Sequence, residues 1–280
     1  MKILFFCPYW GSERLSIADF CARAADCGYD GIELSLKMGD RAATDATLEA
    51  AKRHSLQFIA QHWETANPDI EAHKAELARR LEWLADAKPL FINTQTGRDF
   101  FPFAQNKEIL QAALAFAAER GVRILHETHR GKFSFCAATT AAFLRELPNL
   151  RISADFSHWC VVSESLLADQ AMSLDLAIER TDHIHARVGF AEGPQVSDPL
   201  APEHADALAA HLSWWDRIVK RHSDLDATTL TVTPEFGPWP YMPSLPHTRM
   251  PVADQWELNV RMMGMLKQRW AAAMAPRVAR

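Results

Sequence analysis

The sequence predicts a single α/β domain over residues 1–280, built as a closed parallel barrel of eight βα units, a (β/α)8 or TIM barrel. Three observations favour this fold. Short aliphatic, strand-like runs recur roughly every 30 residues, and helical patterns lie between them. No glycine-rich dinucleotide turn follows the first strand, which disfavours an open, doubly wound sheet.

The predicted strands share a β-branched or aliphatic composition and a length of a few residues. Each is followed by a segment that is too long for a hairpin and that suits a crossover helix to a parallel neighbour. The strands are expected to begin near Ile3, Gly31, Gln57, Leu90, Arg123, Ile152, His183 and Thr229.

The intervening segments carry apolar residues at helical spacing. Residues 15–28 form such a segment and end at Gly28, a typical helix stop. Residues 69–87 place an apolar stripe opposite charged residues. Residues 252–274 are predicted to form the last of eight helices.

Composition limits the kinds of partner and the cellular location that the protein is expected to have. The 280 residues are 48% hydrophobic and carry a net charge of −5, which gives no general attraction to nucleic acid or to an anionic membrane. The five cysteines are odd in number and form no CxxC pair, so a reducing compartment is favoured over a disulfide framework. We find no signal-peptide pattern and no run long enough for a membrane helix. A cytoplasmic protein is expected.

Four acidic or imidazole residues lie where four consecutive predicted strands end: Glu127 in ILHETH, Asp155 in RISADFSH, His185 in HIHARVG and Glu235 in TVTPEFG. The carboxyl ends of barrel strands meet at one face, so these side chains should converge. Three carboxylates and one imidazole suit one divalent cation such as Mn²⁺, Mg²⁺, Co²⁺ or Zn²⁺.

Such a cation predicts proton-transfer chemistry. It would leave positions for substrate oxygens and would lower the pKa of the C–H next to a bound carbonyl. Glu127 and Glu235 come from the fifth and eighth strands, on either side of the site. They are therefore the predicted acid and base that remove and return a proton.

Two residues near these ligands are expected to bind substrate. His158 follows Asp155 in an Asp-x-x-His spacing, and it could bind a substrate oxygen or join the metal ligands. Arg187 lies two residues past His185 on the same strand face, and an inward arginine needs a partner. A substrate oxygen or a ligand carboxylate would supply one.

Residues from the first three strands could reach the pocket from its far side. Trp10 follows the first strand and could stack on a sugar face. Glu33 lies in GYDGIEL at the end of the second strand. His62 and Glu64, in FIAQHWET after the third strand, are predicted to contact the substrate.

Taken together, these motifs resemble the xylose-isomerase-like TIM-barrel superfamily, which includes sugar isomerases, ketose 3-epimerases and an apurinic endonuclease branch. The resemblance rests on GYDGIEL and on the order and spacing of the site residues, and it covers almost the whole chain. It implies that Glu127, Asp155, His185 and Glu235 bind the metal. It also implies that both glutamates are the acid–base groups, with a cis-enediolate between substrate and product.

The resemblance further implies that His158 and Arg187 hold substrate oxygens. The endonuclease branch needs a histidine at the end of the fourth strand and an Asp-x-His after the seventh. The corresponding segments here read FINTQTG and ARVGFAEGPQ and contain neither. The loop HARVGFAEGPQVSDP also differs from that of well-described epimerases, so the substrate can differ as well.

We therefore predict a metal-dependent isomerase or epimerase acting on a small sugar or sugar derivative, with no nucleic-acid or membrane partner. A homodimer is compatible with the superfamily. The alternatives are a metal-dependent hydrolase of the endonuclease-like branch, which two or three zinc ions per chain would favour, and a non-catalytic sugar-binding barrel. Metal-dependent lyases or dehydratases acting on related polyols or keto acids form a further alternative.

Overall fold

Eight parallel strands close into one barrel in sequence order, and the last strand pairs with the first. This computed structural model describes residues 1–274, so the last six residues of the predicted domain lie outside the described part. The predicted (β/α)8 fold class is confirmed. The strands are β1 Lys2–Pro8, β2 Gly31–Leu34, β3 Gln57–His62, β4 Ile92–Thr94, β5 Ile124–Glu127, β6 Ile152–Ala154, β7 Thr181–His185 and β8 Thr229–Thr233.

Helices connect the strands and surround the barrel. They are α1 Ile17–Asp26, α2 Arg41–Arg53, α3 Ile70–Asp86, α4 Phe103–Arg120, α5 Ala137–Glu146, α6 Ser157–Val162, α7 Ala171–Arg180, α8 Ala205–Asp224, α9 Gln255–Arg269 and α10 Ala271–Met274.

The described part of the chain thus has ten α-helices where eight were predicted. The β6–β7 connection is divided into α6 and α7, since Glu164 and Leu167 between them adopt left-handed backbone angles that end a helix. The short α10 follows α9 after Trp270. No helix within residues 1–274 is both long and apolar enough to cross a bilayer.

Local sequence explains where several helices begin. The side chains of Ser16, Asp69 and Asp254 each accept a hydrogen bond from a backbone N–H in the first turn of α1, α3 and α9. Gly121 ends α4 in a left-handed conformation that glycine adopts without a steric penalty. These caps mark where α1, α3 and α9 begin and where α4 ends.

The barrel has an apolar lower interior and a polar upper interior. Phe6, Ile59, Phe91 and Leu125 form a small inner cluster, separate from the larger core between strands and helices. Side-chain alternation places Ile184 of β7, and Ala186 and Val188 just beyond it, in that outer core. The inward residues toward the carboxyl ends are polar and buried, and they form the floor of the candidate site.

Candidate metal and substrate site

The four predicted ligands converge at the carboxyl ends of β5 to β8. Glu127 is the last residue of β5, Asp155 follows β6, His185 ends β7, and Glu235 lies two residues past β8. All four are buried, and one ligand atom from each lies within 4.8 Å of the other three. Three carboxylates and an imidazole at this separation can hold a divalent metal ion.

His185 contacts carboxylates through both ring nitrogens. Its Nε2 lies 3.1 Å from Glu33 Oε1. Its Nδ1 faces the cluster, 2.8 Å from Glu235 Oε2, at an angle that makes no hydrogen bond. A carboxylate on one ring nitrogen orients the other toward a metal in many metal-binding histidines. The buried, unpaired Nδ1 therefore fits a cation in the cluster.

The charge balance also fits a cation. Burial alone would lower the pKa of His185, but Glu235, Glu33 and Glu127 outweigh burial and raise the pKa well above its ordinary value. The carboxylates around His185 therefore favour a positive charge at this position. A divalent cation among the same carboxylates would supply this positive charge, and the imidazole could then stay neutral.

Each of the two glutamates is supported by a glutamine amide from another strand: Gln95 follows β4 and Gln61 lies on β3. Gln95 Nε2 donates to Glu127 at 3.2 Å, and Gln61 Nε2 donates to Glu235 Oε1 at 3.1 Å. Burial raises the pKa of Glu127 to about 8, opposed by His185 and assisted by Glu235. Burial would also raise the pKa of Glu235, but His185 and Arg187 outweigh burial and hold it below its ordinary value.

Asp155 is fixed by Ser157 at the start of α6 and by Arg187, which follows β7. Its Oδ1 accepts a hydrogen bond from Ser157 Oγ at 2.5 Å. Its Oδ2 accepts one from Arg187 Nη2. The same Arg187 nitrogen lies 2.8 Å from His158 Nε2. The predicted inward arginine is thus paired with a ligand carboxylate, as its burial requires.

This pairing assigns the tautomer of His158. Because Arg187 can only donate, His158 Nε2 accepts and Nδ1 carries the proton. That Nδ1 is buried and has no hydrogen-bond partner among the described residues. The His158 ring lies against His129, with ring centroids 3.9 Å apart. Of these two rings, only that of His129 lines the cavity described next.

A cavity of about 440 Å³ opens above the four ligands. Its wall contains predicted residues from both sides of the barrel as well as residues that were not predicted. The lining residues are Tyr9, Trp10, Glu13, Leu34, Ser35, Gln61, Trp63, Gln95, Glu127, His129, Arg187, Glu235 and Tyr241.

The structure places the predicted substrate residues differently. Trp10 and Arg187 line the cavity. His62 and Glu64 do not, because His62 occupies the outward face of β3 and bonds Glu64 through Nδ1 at 2.7 Å. Alternation puts Gln61 inward instead. Substrate contact by His62 and Glu64 stays a prediction, and it has no support from their position.

Several lining residues escaped sequence reasoning. Gln61 and Gln95 are detectable only when the strand register is known, since each lies near a strand end on the inner face. Tyr9, Trp63 and Tyr241 lie in loops, where no periodicity marks direction. Glu33 was considered only as a pocket residue, whereas it lies beneath the ligands against His185.

Comparison with known proteins decides the family. A family model described as xylose isomerase-like TIM barrel matches residues 21–194. The chain belongs to this family. The match spans β2 to β7 and includes three of the four proposed ligands. A search of curated protein sequences found no match.

Solved structures share the fold at low identity. A xylose isomerase-like TIM barrel protein from Mycobacterium smegmatis, in complex with magnesium, has a TM-score of 0.66 at 10% identity, covering 97% of this chain and 98% of that one. A D-allulose 3-epimerase from Methylomonas sp., in complex with D-allulose, gives 0.64 at 17% identity, covering 96% and 97%. Endonuclease IV from Thermus thermophilus gives 0.57 at 16%, covering 96% and 100%.

These likenesses establish a shared architecture. The similar proteins include enzymes of different reaction classes, so the chemistry of this family member has to be argued from its own residues.

Proposed function

We propose that this protein is a divalent-metal-dependent sugar epimerase or isomerase that moves a proton at a carbon next to a carbonyl. The observation that carries the proposal is the pair Glu127 and Glu235. Both line the cavity, and both belong to the group of four proposed metal ligands. Glu127 comes from β5 and Glu235 from the segment after β8. A substrate between them would have a carboxylate available on each of two sides.

A divalent cation held by Glu127, Asp155, His185 and Glu235 would supply Lewis acidity to a substrate carbonyl, which makes the neighbouring C–H more acidic. Before a cation binds, the two glutamates differ in proton affinity, because the pKa of Glu127 is raised and that of Glu235 is lowered. Paired groups with separated pKa values are suited to giving and taking one proton.

The surrounding residues position the reacting parts. Gln61 and Gln95 hold the glutamate carboxylates in place by their amides. Arg187 lines the cavity with its guanidinium fixed by Asp155, so its remaining N–H groups are available for a substrate oxygen. Return of the proton to the opposite face of the same carbon gives an epimer, and return to the neighbouring carbon gives an isomer.

A hydrolase with several metals is the second candidate, because Glu127, His129 and His158 form another group that could hold an ion. One contact disfavours it. His158 Nε2 lies 2.8 Å from the Arg187 Nη2 donor. To bind a metal through Nδ1, His158 would have to carry its proton on Nε2. That proton would then face the N–H donor of Arg187.

A deuterium-uptake screen in D₂O tests the proposal. The Mn²⁺-loaded protein is incubated with a panel of keto-sugars, and each sugar is followed by proton NMR. We expect loss of one C–H signal next to the carbonyl of at least one sugar, with an epimer or isomer as product. Metal analysis should find one ion per chain. Exchange into no sugar by metal-loaded protein, or two to three ions per chain, would count against the proposal.

A further inference from the structure

We propose, resting on the proposed function above, that the natural substrate is an uncharged keto-sugar carrying an apolar, planar substituent, and that this substituent packs on Trp63. The proposal names the substrate class and assigns a binding role to a residue outside the metal cluster. It follows from the exposure and anchoring of Trp63, from the wall of the cavity and from the charges that line it.

Trp63 exposes an unusually large apolar surface for a residue that lines a cavity. The residue is 55% exposed. Among residues 1–274, its indole has no ring-stacking or cation–π partner. Exposed tryptophan surface is unfavourable in water, and large exposed apolar groups at a cavity commonly mark ligand contact. The ring therefore has a free face for a flat or apolar group.

The backbone of Trp63 is held even though its ring is exposed. Its N–H donates to Glu64 Oε2 at 3.3 Å, and its carbonyl accepts from Lys132 Nζ at 3.3 Å. Glu64 is itself bonded by His62 Nδ1 at 2.7 Å and by Ser35 Oγ at 2.8 Å. This network gives His62 and Glu64 a role as positioning residues for Trp63. A fixed backbone lowers the entropy that would otherwise be lost when a ligand binds the ring.

The other aromatic residues of the cavity are already engaged with the protein. Trp10 and Tyr241 pack edge to face, with ring centroids 4.9 Å apart. The Arg187 guanidinium lies over Tyr241, 4.7 Å from its centroid. These two rings come from the loops after β1 and β8, while Trp63 comes from the loop after β3. Together with Leu34, they give an apolar upper cavity above a polar floor.

The lining charges favour an uncharged substrate. Glu13, Glu127 and Glu235 contribute three carboxylates to the wall, and Arg187 is the single arginine or lysine among the lining residues that the structure describes. That arginine is already paired with Asp155. A phosphate or carboxylate on the substrate would meet three carboxylates in this wall and only one cationic side chain, whose charge is already paired with Asp155.

The size of the cavity leaves room for a substituent. Cavities of roughly 300–1,000 Å³ bind ligands of drug size, and a bare hexose has only about twelve non-hydrogen atoms. The 440 Å³ here accommodates a sugar with a further ring attached. The sugar would occupy the polar floor near the glutamates, with the substituent directed toward Trp63.

Isothermal titration of matched probes tests the proposal. Phenyl and methyl 3-keto-β-D-glucopyranoside are both neutral and differ only in the substituent. We expect the wild-type protein to bind the phenyl compound about five- to tenfold more tightly. Trp63→Ala should bring that ratio close to one. Trp239→Ala is the matched control, since Trp239 is 63% exposed but does not line the cavity, and it should keep the wild-type ratio.

A second pair of probes tests the charge argument. D-fructose should bind at least as tightly as D-fructose 6-phosphate. Equal affinities for phenyl and methyl compounds, an unchanged ratio in Trp63→Ala, or a clear preference for the phosphate would each overturn the proposal. Because titration needs no turnover, these results are independent of the deuterium-uptake screen. If only the catalytic proposal fails, deuterium exchange will be absent while the phenyl-to-methyl affinity ratios stay as expected.

Discussion

At the scale of residues, His185 connects the four proposed metal ligands to a second layer of polar side chains. Its Nε2 contacts Glu33, which also accepts hydrogen bonds from Asn93 Nδ2 at 2.8 Å and from Thr233 Oγ1 at 2.5 Å. His183 Nε2 lies 3.3 Å from the same carboxylate. This buried network fixes the ring of His185 with Nδ1 toward the cluster.

Glu33→Gln should therefore weaken metal binding without removing a ligand. The amide keeps the shape but loses the negative charge facing His185 Nε2. We expect the dissociation constant for Mn²⁺ to rise about 10- to 100-fold, measured by calorimetric titration. Glu13→Gln, the same charge change at the cavity mouth, should leave it unchanged. An affinity within about threefold of wild type in Glu33→Gln would exclude this role.

Glu235→Gln tests the assignment of acid–base chemistry. The substitution removes both a ligand and a proton acceptor, so turnover of the responsive keto-sugar should fall by about 10²–10⁴-fold or more. Steady-state assays at saturating Mn²⁺ separate this loss from weaker metal binding. The exposed Glu119 on α4 offers a control, and Glu119→Gln should behave as wild type. A Glu235→Gln enzyme within about tenfold of wild type would refute the assignment.

Sequence reasoning named four residues that the structure brings together, because each follows a recognisable strand. At β3 it named His62, whereas Gln61 lines the cavity. The strand ends at His62, so a one-residue uncertainty in register inverts which side chain points inward. The backbone of Trp63 is held by a tertiary contact with Lys132, which no local pattern encodes.

At the scale of elements, the two ends of the barrel strands have different tasks. The carboxyl ends carry the four proposed metal ligands, while the amino ends of β6 and β7 are joined by an ion pair. Arg151, just before β6, donates to Asp182 of β7 through Nε at 2.8 Å and Nη2 at 2.5 Å. The predicted strand positions were within about two residues of those observed, because aliphatic runs mark strands well but mark their first residue poorly.

Asp182→Asn should destabilise the barrel in a pH-dependent way. Burial alone would raise the pKa of Asp182, but Arg151 outweighs burial and lowers it below the ordinary value of 3.8. A lowered folded-state pKa means that the pair stabilises the protein at neutral pH. This contribution is lost as the pH falls below 3.8 and through the folded-state pKa. Urea denaturation near neutral pH should show a loss of about 1–3 kcal/mol.

The difference between wild type and Asp182→Asn should shrink as the pH is lowered into that range. Asp175→Asn is the matched control, because Asp175 pairs with Arg217 at a largely exposed position. Exposed pairs contribute only about 0–1 kcal/mol. A loss in Asp182→Asn that is the same at neutral and acidic pH would show that the effect does not come from the carboxylate charge.

At the scale of the whole molecule, three buried carboxylates lie close together at one end of the barrel: Glu127, Asp155 and Glu235. Their mutual repulsion and burial oppose folding unless positive charge compensates them. His185 and Arg187 supply part of that charge. A bound cation should supply the rest and stabilise the entire barrel, since strands from half of its circumference share the site.

Metal removal should accordingly affect both stability and activity. EDTA followed by desalting should lower the thermal unfolding midpoint by several degrees and abolish turnover. Mn²⁺ or Co²⁺ should restore both, while Na⁺ at matched ionic strength should restore neither. Full activity in a sample shown by elemental analysis to be free of metal would contradict the proposed role of the cation.

Anomalous diffraction from crystals soaked in Mn²⁺ tests the central claim most directly. The account predicts one manganese peak per chain, with ligand atoms of Glu127, Asp155, His185 and Glu235 each roughly 2 Å from it, and with Nδ1 as the His185 ligand. A peak elsewhere, or a fully soaked crystal in which these four side chains bind no ion, would contradict it.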